Sequence, residues 1–280
     1  MTHSASPSPT TRTRPTSPRL RRINPGRRIF SGGYGASTVP EATALFWILK
    51  VLTTGMGETA SDFLATAFDP VIVVGGAGVA FLGAIALQFA VRRYIPWVYW
   101  LAVLMVSIFG TMAADVLHVV AGLPYLISTL GFAVALAAVF LIWWRVEATL
   151  SIHAINTPRR ALFYWLAVSG TFALGTAAGD LTASTFGLGY LPSAVLFAAL
   201  IAIPAFAFRF SRMNAVLAFW FAYVVTRPLG ASICDWLADA PHAHGLGLGT
   251  GPVTLGAFVV FLVLVGVMAL RRRVWSPPAD

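Results

Sequence analysis

Apolar and polar positions segregate along this chain on a long scale. Eight apolar stretches, at about 41–64, 71–91, 95–119, 124–144, 161–182, 190–208, 214–238 and 252–270, are parted by short polar connections. Each has roughly the 17–25 residues a helix needs to cross a ~30 Å hydrocarbon core. The pattern predicts an all-α fold: a polytopic membrane bundle of eight transmembrane helices. Basic residues fall in alternate connections. Arg92 and Arg93 follow the second span, Arg145, Arg159 and Arg160 flank the loop after the fourth, Arg209 and Arg212 follow the sixth, and Arg271, Arg272 and Arg273 follow the eighth. The connections around Asp69, Gly122, Gly187 and His242 hold no Lys or Arg. The excess of positive charge on one side predicts a multi-pass protein with both termini in the cytoplasm.

The odd-numbered spans share a frame. An aromatic residue precedes a Trp, a Gly follows ten residues after the Trp, and an Asp fifteen after it. The four copies run from Phe46-Trp47 through Gly57 to Asp62, Tyr99-Trp100 through Gly110 to Asp115, Tyr164-Trp165 through Gly175 to Asp180, and Phe219-Trp220 through Gly230 to Asp235. Four ungapped copies predict four tandem repeats of two helices, at about 41–93, 95–146, 160–212 and 214–271. Two spans per copy make the repeats parallel, related by an axis along the membrane normal. The four Trp then share one depth, where indoles are expected as interfacial anchors at the cytoplasmic side. The four Asp share another, about 22 Å further along at 1.5 Å per residue. The repeated Gly is expected to let helices approach closely.

On these residues the sequence resembles a bacterial family, a repeat of unknown function with four tandem copies of two transmembrane segments and a recurrent tryptophan. The resemblance spans about residues 41–270, with Trp47, Trp100, Trp165 and Trp220 in the tryptophan's place. It implies the fold and the topology and no activity; a bacterial cytoplasmic membrane is the expected location.

Composition changes the picture at two points. Only 10% of the 280 residues are charged and 58% are hydrophobic, against about 25% charged in ordinary globular chains, which excludes a water-soluble domain. The net charge of +9 does not point to nucleic acid, because seven arginines (Arg12, Arg14, Arg19, Arg21, Arg22, Arg27, Arg28) crowd the Ser-, Thr- and Pro-rich first forty residues. Residues 1–39 are expected to be a disordered basic cytoplasmic tail near anionic headgroups, 40–273 the transmembrane domain, and 274–280 a short tail. The expected partners are the lipid bilayer and an inorganic cation or proton, with a homo-oligomer left open. One cysteine, Cys234, excludes an intrachain disulfide and a cysteine metal cluster.

The charges inside the spans carry the candidate chemistry. Lys50, Thr54, Glu58 and Asp62 recur every four residues, a polar stripe that must face protein or water. Thr111 and Thr176 hold the place of Glu58 in their repeats. Five acids (Glu58, Asp62, Asp115, Asp180, Asp235) face two bases, Lys50 and Arg227. The excess must be protonated, hydrated or neutralised by a cation. This predicts a permease or secondary transporter for a cation or a proton-coupled small solute. The Asp ring would be its ion site, Glu58 a deeper exchangeable carboxylate, and Lys50 and Arg227 counter-charges. The alternative is a non-transporting scaffold or sensor in which the Asp cap the turns that follow them. Pro228 beside Arg227 predicts a kink. His118, three residues after Asp115, and the pair His242 and His244 near Asp239 are weak metal candidates. No nucleotide loop, dinucleotide fingerprint or hydrolase motif occurs, so neither an enzyme nor a bound cofactor is expected.

Overall fold

Polar residues at the connections decide where several helices begin. Thr43 accepts a hydrogen bond from the Phe46 amide at 3.3 Å, Thr157 from that of Arg160 at 3.3 Å, and Asn214 from that of Val216 at 2.8 Å. Asp69 accepts from the amides of Val71 and Ile72 at 2.9 and 3.2 Å. Each satisfies amides that have no partner inside the helix. Pro70, Pro96 and Pro158 occupy first turns, where their missing N–H is not needed.

The computed structural model describes residues 37–91, 93–210, 214–241 and 244–274. Among them are eight long helices and no strand: α1 (Ala44–Ala67), α2 (Pro70–Ala90), α3 (Pro96–Asp115), α4 (Tyr125–Glu147), α5 (Pro158–Asp180), α6 (Tyr190–Phe210), α7 (Ala215–Ala238) and α8 (Thr250–Val274). Most of the expected N-terminal tail, Arg92, Arg212, His242 and residues 275–280 lie outside the described residues. Six helices, all but α1 and α6, are long and apolar enough to cross a membrane. α1 carries Lys50, Glu58 and Asp62, and the apolar part of α6 is the shorter run Tyr190–Pro204. α7 continues through Pro228 to Ala238 as one helix.

The odd helices form the inside of the bundle and the even helices the outside. α1 packs on α3, α3 on α5, α5 on α7, and α7 back on α1, which closes a ring of four. Each even helix lies chiefly against the inner helix of the following repeat: α2 on α3, α4 on α5, α6 on α7, and α8 on α1. In their most apolar stretches only 6% of α2 and 11% of α8 is buried, against 56% of α7. The outer surface presents Val71, Val79, Leu82, Val134 and Leu255, each more than three-fifths exposed, to a solvent that must be hydrocarbon.

The repeated glycines close the ring. A Cβ added at Gly57 would fall 1.9 Å from Ser107 Oγ, one at Gly175 2.4 Å from Arg227 Cγ, and one at Gly230 2.0 Å from Thr54 Oγ1. At Gly110 the nearest atom is Phe172 Cβ, at 3.3 Å. Each glycine ten residues after the Trp thus meets the residue seven after the Trp of the next repeat, and the fourth meets the first. Bare backbone at these positions admits that contact, and close packing is what holds helices together where lipid is as apolar as the side chains.

Candidate functional site

The same register stacks five layers along the ring's axis. They lie one residue before the Trp and three, seven, eleven and fifteen residues after it. From first to last is sixteen residues, about 24 Å of helix at 1.5 Å per residue.

The first layer is aromatic. Phe46, Tyr99, Tyr164 and Phe219 are buried and interlock with Trp100, Trp165 and Trp220. The Tyr99 and Tyr164 hydroxyls share a hydrogen bond of 2.6 Å. Three of the four tryptophans are therefore core residues rather than the expected interfacial anchors, and only Trp47 is partly exposed. The outer helices and loops cover them. Trp220 Nε1 donates to the Leu150 carbonyl at 3.0 Å, and Trp100 Nε1 donates to Met268 Sδ at 3.4 Å. Among the described residues Trp97 and Trp144, outside the frame, are the exposed indoles.

The second layer is Lys50, Val103, Val168 and Tyr223, all fully buried. Lys50 Nζ has no hydrogen-bond partner among the described residues. It lies 3.9 Å from the centre of the Phe172 ring and 4.2 Å from that of Tyr223, within the reach of a cation–π contact.

The third and fourth layers are tied together by one side chain. Thr54, Ser107, Phe172 and Arg227 form the third; Glu58, Thr111, Thr176 and Ala231 form the fourth, and all are buried. Arg227 Nη1 donates to the Thr54 carbonyl at 2.8 Å. Its Nη2 donates to Glu58 Oε2, to Thr111 Oγ1, and to Thr176 Oγ1 at 2.8 Å. Thr111 also donates to Glu58 at 3.2 Å. A guanidinium from the fourth repeat thereby binds the equivalent position of the other three. That fourth repeat has Ala231 there, where no acceptor is required. Glu58 is consequently the partner of a buried salt bridge with Arg227.

The fifth layer is the Asp ring. Asp62, Asp115, Asp180 and Asp235 are half-buried and lie at the end of the helical file opposite the aromatic layer. They stand within electrostatic range of Glu58 and of one another. After Asp115 and after Asp180 the helix loosens into a π-helical turn, Val116–Val120 and Leu181–Thr185, a feature common at functional sites. Neither carboxylate makes a cap hydrogen bond to its turn. Asp69, in the connection after the first span, does cap, accepting the first amides of α2.

His118 and His244 stand apart from this file. His118 Nδ1 pairs with the Leu123 carbonyl at 2.9 Å and its Nε2 with Ser128 Oγ at 3.3 Å, while the ring lies 4.0 Å from that of Tyr125. Both nitrogens thus serve the loop into α4. His244 is exposed. Among the described residues no group of three or more His, Cys, Asp or Glu is placed to hold a metal ion.

Beyond the aromatic end, Glu147 bridges Arg159 and, at 2.7 Å, Arg160, and Arg160 also donates to the Ala154 carbonyl at 3.0 Å. These bonds order the linker between the second and third repeats. On the outer surface a groove of about 1220 Å³ runs between α6 and α8, with Trp47, Val51, Ile201, Ile233 and Val260 in its walls. Its lining includes neither Lys50, Arg227 nor any ring Asp.

The layers that carry Ser107, Phe172 and Tyr223 escaped sequence reasoning. The signal was present as fixed distances from the repeated Trp, but it becomes a site only when the four helices close. The family described as Repeat of Unknown Function (DUF347) matches residues 45–94, 98–149, 163–214 and 218–274, one match for each two-helix copy. No curated protein and no solved structure matches the chain.

Proposed function

The chain belongs to this DUF347 repeat family, and on that premise we propose that it is a multi-pass permease of the bacterial cytoplasmic membrane for a cation or a proton-coupled small solute. The supporting observation is the polar file. A closed ring of four membrane helices can be packed with apolar side chains alone, yet this one encloses Lys50, Thr54, Ser107, Thr111, Thr176, Glu58 and Arg227. The file ends in four half-buried carboxylates within electrostatic range of one another. Ionisable groups inside membrane helices are expensive and mark ion or proton routes. With both termini in the cytoplasm, as the arginine-bearing connections favour, the aromatic layer lies inside and the Asp ring opens outward. On this reading the activity is transport; the ring nitrogens of His118, the histidine nearest Asp115 in the sequence, pair with the Leu123 carbonyl and Ser128 Oγ.

The reconstituted full-length chain tests this. Vesicles containing it should show protein-dependent flux across a panel of protons, alkali ions and divalent metals. Asp62→Asn and Asp180→Asn should abolish that flux without lowering the melting temperature. Unaltered flux in all four ring Asn variants would end the reading. A second reading, a non-transporting scaffold, is favoured by Arg227, which binds helices of all three other repeats. On that reading no flux above empty vesicles is seen for any ion.

A further inference from the structure

Of the 19 basic residues in the chain, all are arginine except one, and the exception is Lys50. That single lysine is fully buried on the axis, between the aromatic layer and the Arg227 layer. Among the described residues its amine has no hydrogen-bond acceptor; it faces the rings of Phe172 and Tyr223. The neighbouring Arg227 has gathered the acceptors of this region: the Thr54 carbonyl, Glu58, Thr111 and Thr176.

The difference between the two cations is chemical. A guanidinium keeps its proton under all physiological conditions, whereas a lysine amine gives its proton up readily when desolvated. If the position required only a fixed cation stacked on aromatic faces, arginine would serve it as well or better. An ammonium here would leave three donors unmet, while the neutral amine presents a lone pair on the axis and asks far less of its surroundings. Lysine at this one position supplies what arginine cannot: a proton site that can be filled and emptied.

We propose that Lys50 is the proton-binding group of the axial file, which makes the proton the ion this protein moves or couples to. The inference rests on the permease reading above and names its ion. A proton from the carboxylate end adds to the Nζ lone pair. The same N–H bond breaks when the proton leaves toward the aromatic end, where the Tyr223 hydroxyl oxygen takes it up and gives its own O–H proton on to the neighbouring Tyr99–Tyr164 pair. The groups around the amine are known from every packed helix. α7 presents Arg227 and Tyr223, and α5 presents Phe172, with Tyr164 one layer on. α3 presents Tyr99 one layer on and Ser107, while α2 holds no titratable residue and α8 none before Arg271. Glu58 lies two turns along α1 itself. Filling the site places a second cation beside Arg227 while only Glu58 is paired with it. Loading is therefore felt directly by the salt bridge that ties the ring together.

Because the chain has one lysine, labelling with ¹⁵N-lysine yields a single side-chain signal. In vesicles of the full-length protein that signal should pass between its ammonium and amine positions over the pH range in which flux occurs. A signal that stays at the ammonium position throughout overturns the proposal. Proton flux, read with a trapped pH dye at clamped potential, should fall about tenfold or more in both Lys50→Met and Lys50→Arg. The Arg variant keeps the charge and the ring contacts, so a merely structural cation would leave it active; wild-type flux in Lys50→Arg overturns the proposal. If neither variant folds, the labelled wild-type signal decides alone. Flux that persists in Lys50→Met removes Lys50 from the route and leaves the permease standing. Wild-type vesicles that pass no proton and move no solute on a proton gradient overturn both.

Discussion

Removing Arg227 should be the most damaging single change inside the ring. Its guanidinium is fully buried and holds the Thr54 carbonyl, Glu58, Thr111 and Thr176 together across four helices. In Arg227→Met the Glu58 carboxylate stays buried with only Thr111 to donate to it. Breaking a buried ion pair from one side costs about 3–5 kcal/mol, most of it for the charge left behind. At about 2–4 °C per kcal/mol for a domain of 150–250 residues, the melting temperature should fall by about 6–20 °C. Glu58→Met should cost less, because the guanidinium keeps Thr54, Thr111 and Thr176. The double variant Glu58→Met/Arg227→Met replaces the pair by apolar side chains of similar length and should recover most of the loss, since neither charge is stranded. Thermal unfolding of the four purified proteins in one detergent measures the cycle. Additive losses in the double variant, or an unchanged melting temperature in Arg227→Met, would refute the assignment of Arg227 as the tie of the ring.

The glycine contacts forecast a graded series. Gly57→Ala, Gly175→Ala and Gly230→Ala should each destabilise by about 1–3 kcal/mol through overpacking. Gly110→Ala, with its nearest neighbour at 3.3 Å, should be near neutral, and Gly75→Ala, which meets open space, should stabilise by up to about 1 kcal/mol through helix propensity. Equal effects at all five, by the same unfolding assay, would contradict the ring geometry. Asp69→Ala should lose about 1 kcal/mol of capping, while Asp115→Ala and Asp180→Ala remove no cap hydrogen bond. A loss at those two matching that of Asp69→Ala would restore the capping role. In a Cys234→Ala background, Leu246→Cys should react with an impermeant thiol reagent from outside intact cells and Asn156→Cys only after permeabilisation; the opposite pattern inverts the topology.

The residues differ in how far their role could be read without neighbours. An α-helix places positions four apart on one face whatever surrounds it. Lys50, Thr54, Glu58 and Asp62 could therefore be seen as one stripe in the sequence, and its burial followed from what lipid rejects. The same local periodicity brought all four Asp to one end, and the apolar runs 71–91 and 124–144 lie close to α2 (Pro70–Ala90) and α4 (Tyr125–Glu147). What depends on contacts between helices was not legible. A tryptophan at the end of an apolar span looks the same whether it meets headgroups or protein. Only the placement of each outer helix on the following repeat, and of the Leu150 loop over Trp220, made three of the four indoles core residues. Arg227 stood in the sequence near five carboxylates at similar depth. Its choice of Glu58 arises because the Gly175 contact brings α7 against α5, while Thr54 and Gly230 bring it against α1. That closure also leaves Lys50 without an acceptor among the described residues: the Thr54 carbonyl one layer away and Glu58 beyond it are engaged by the guanidinium. Who takes which partner in a low-dielectric core is a competition among side chains from different repeats, and it has an outcome only once the ring is closed.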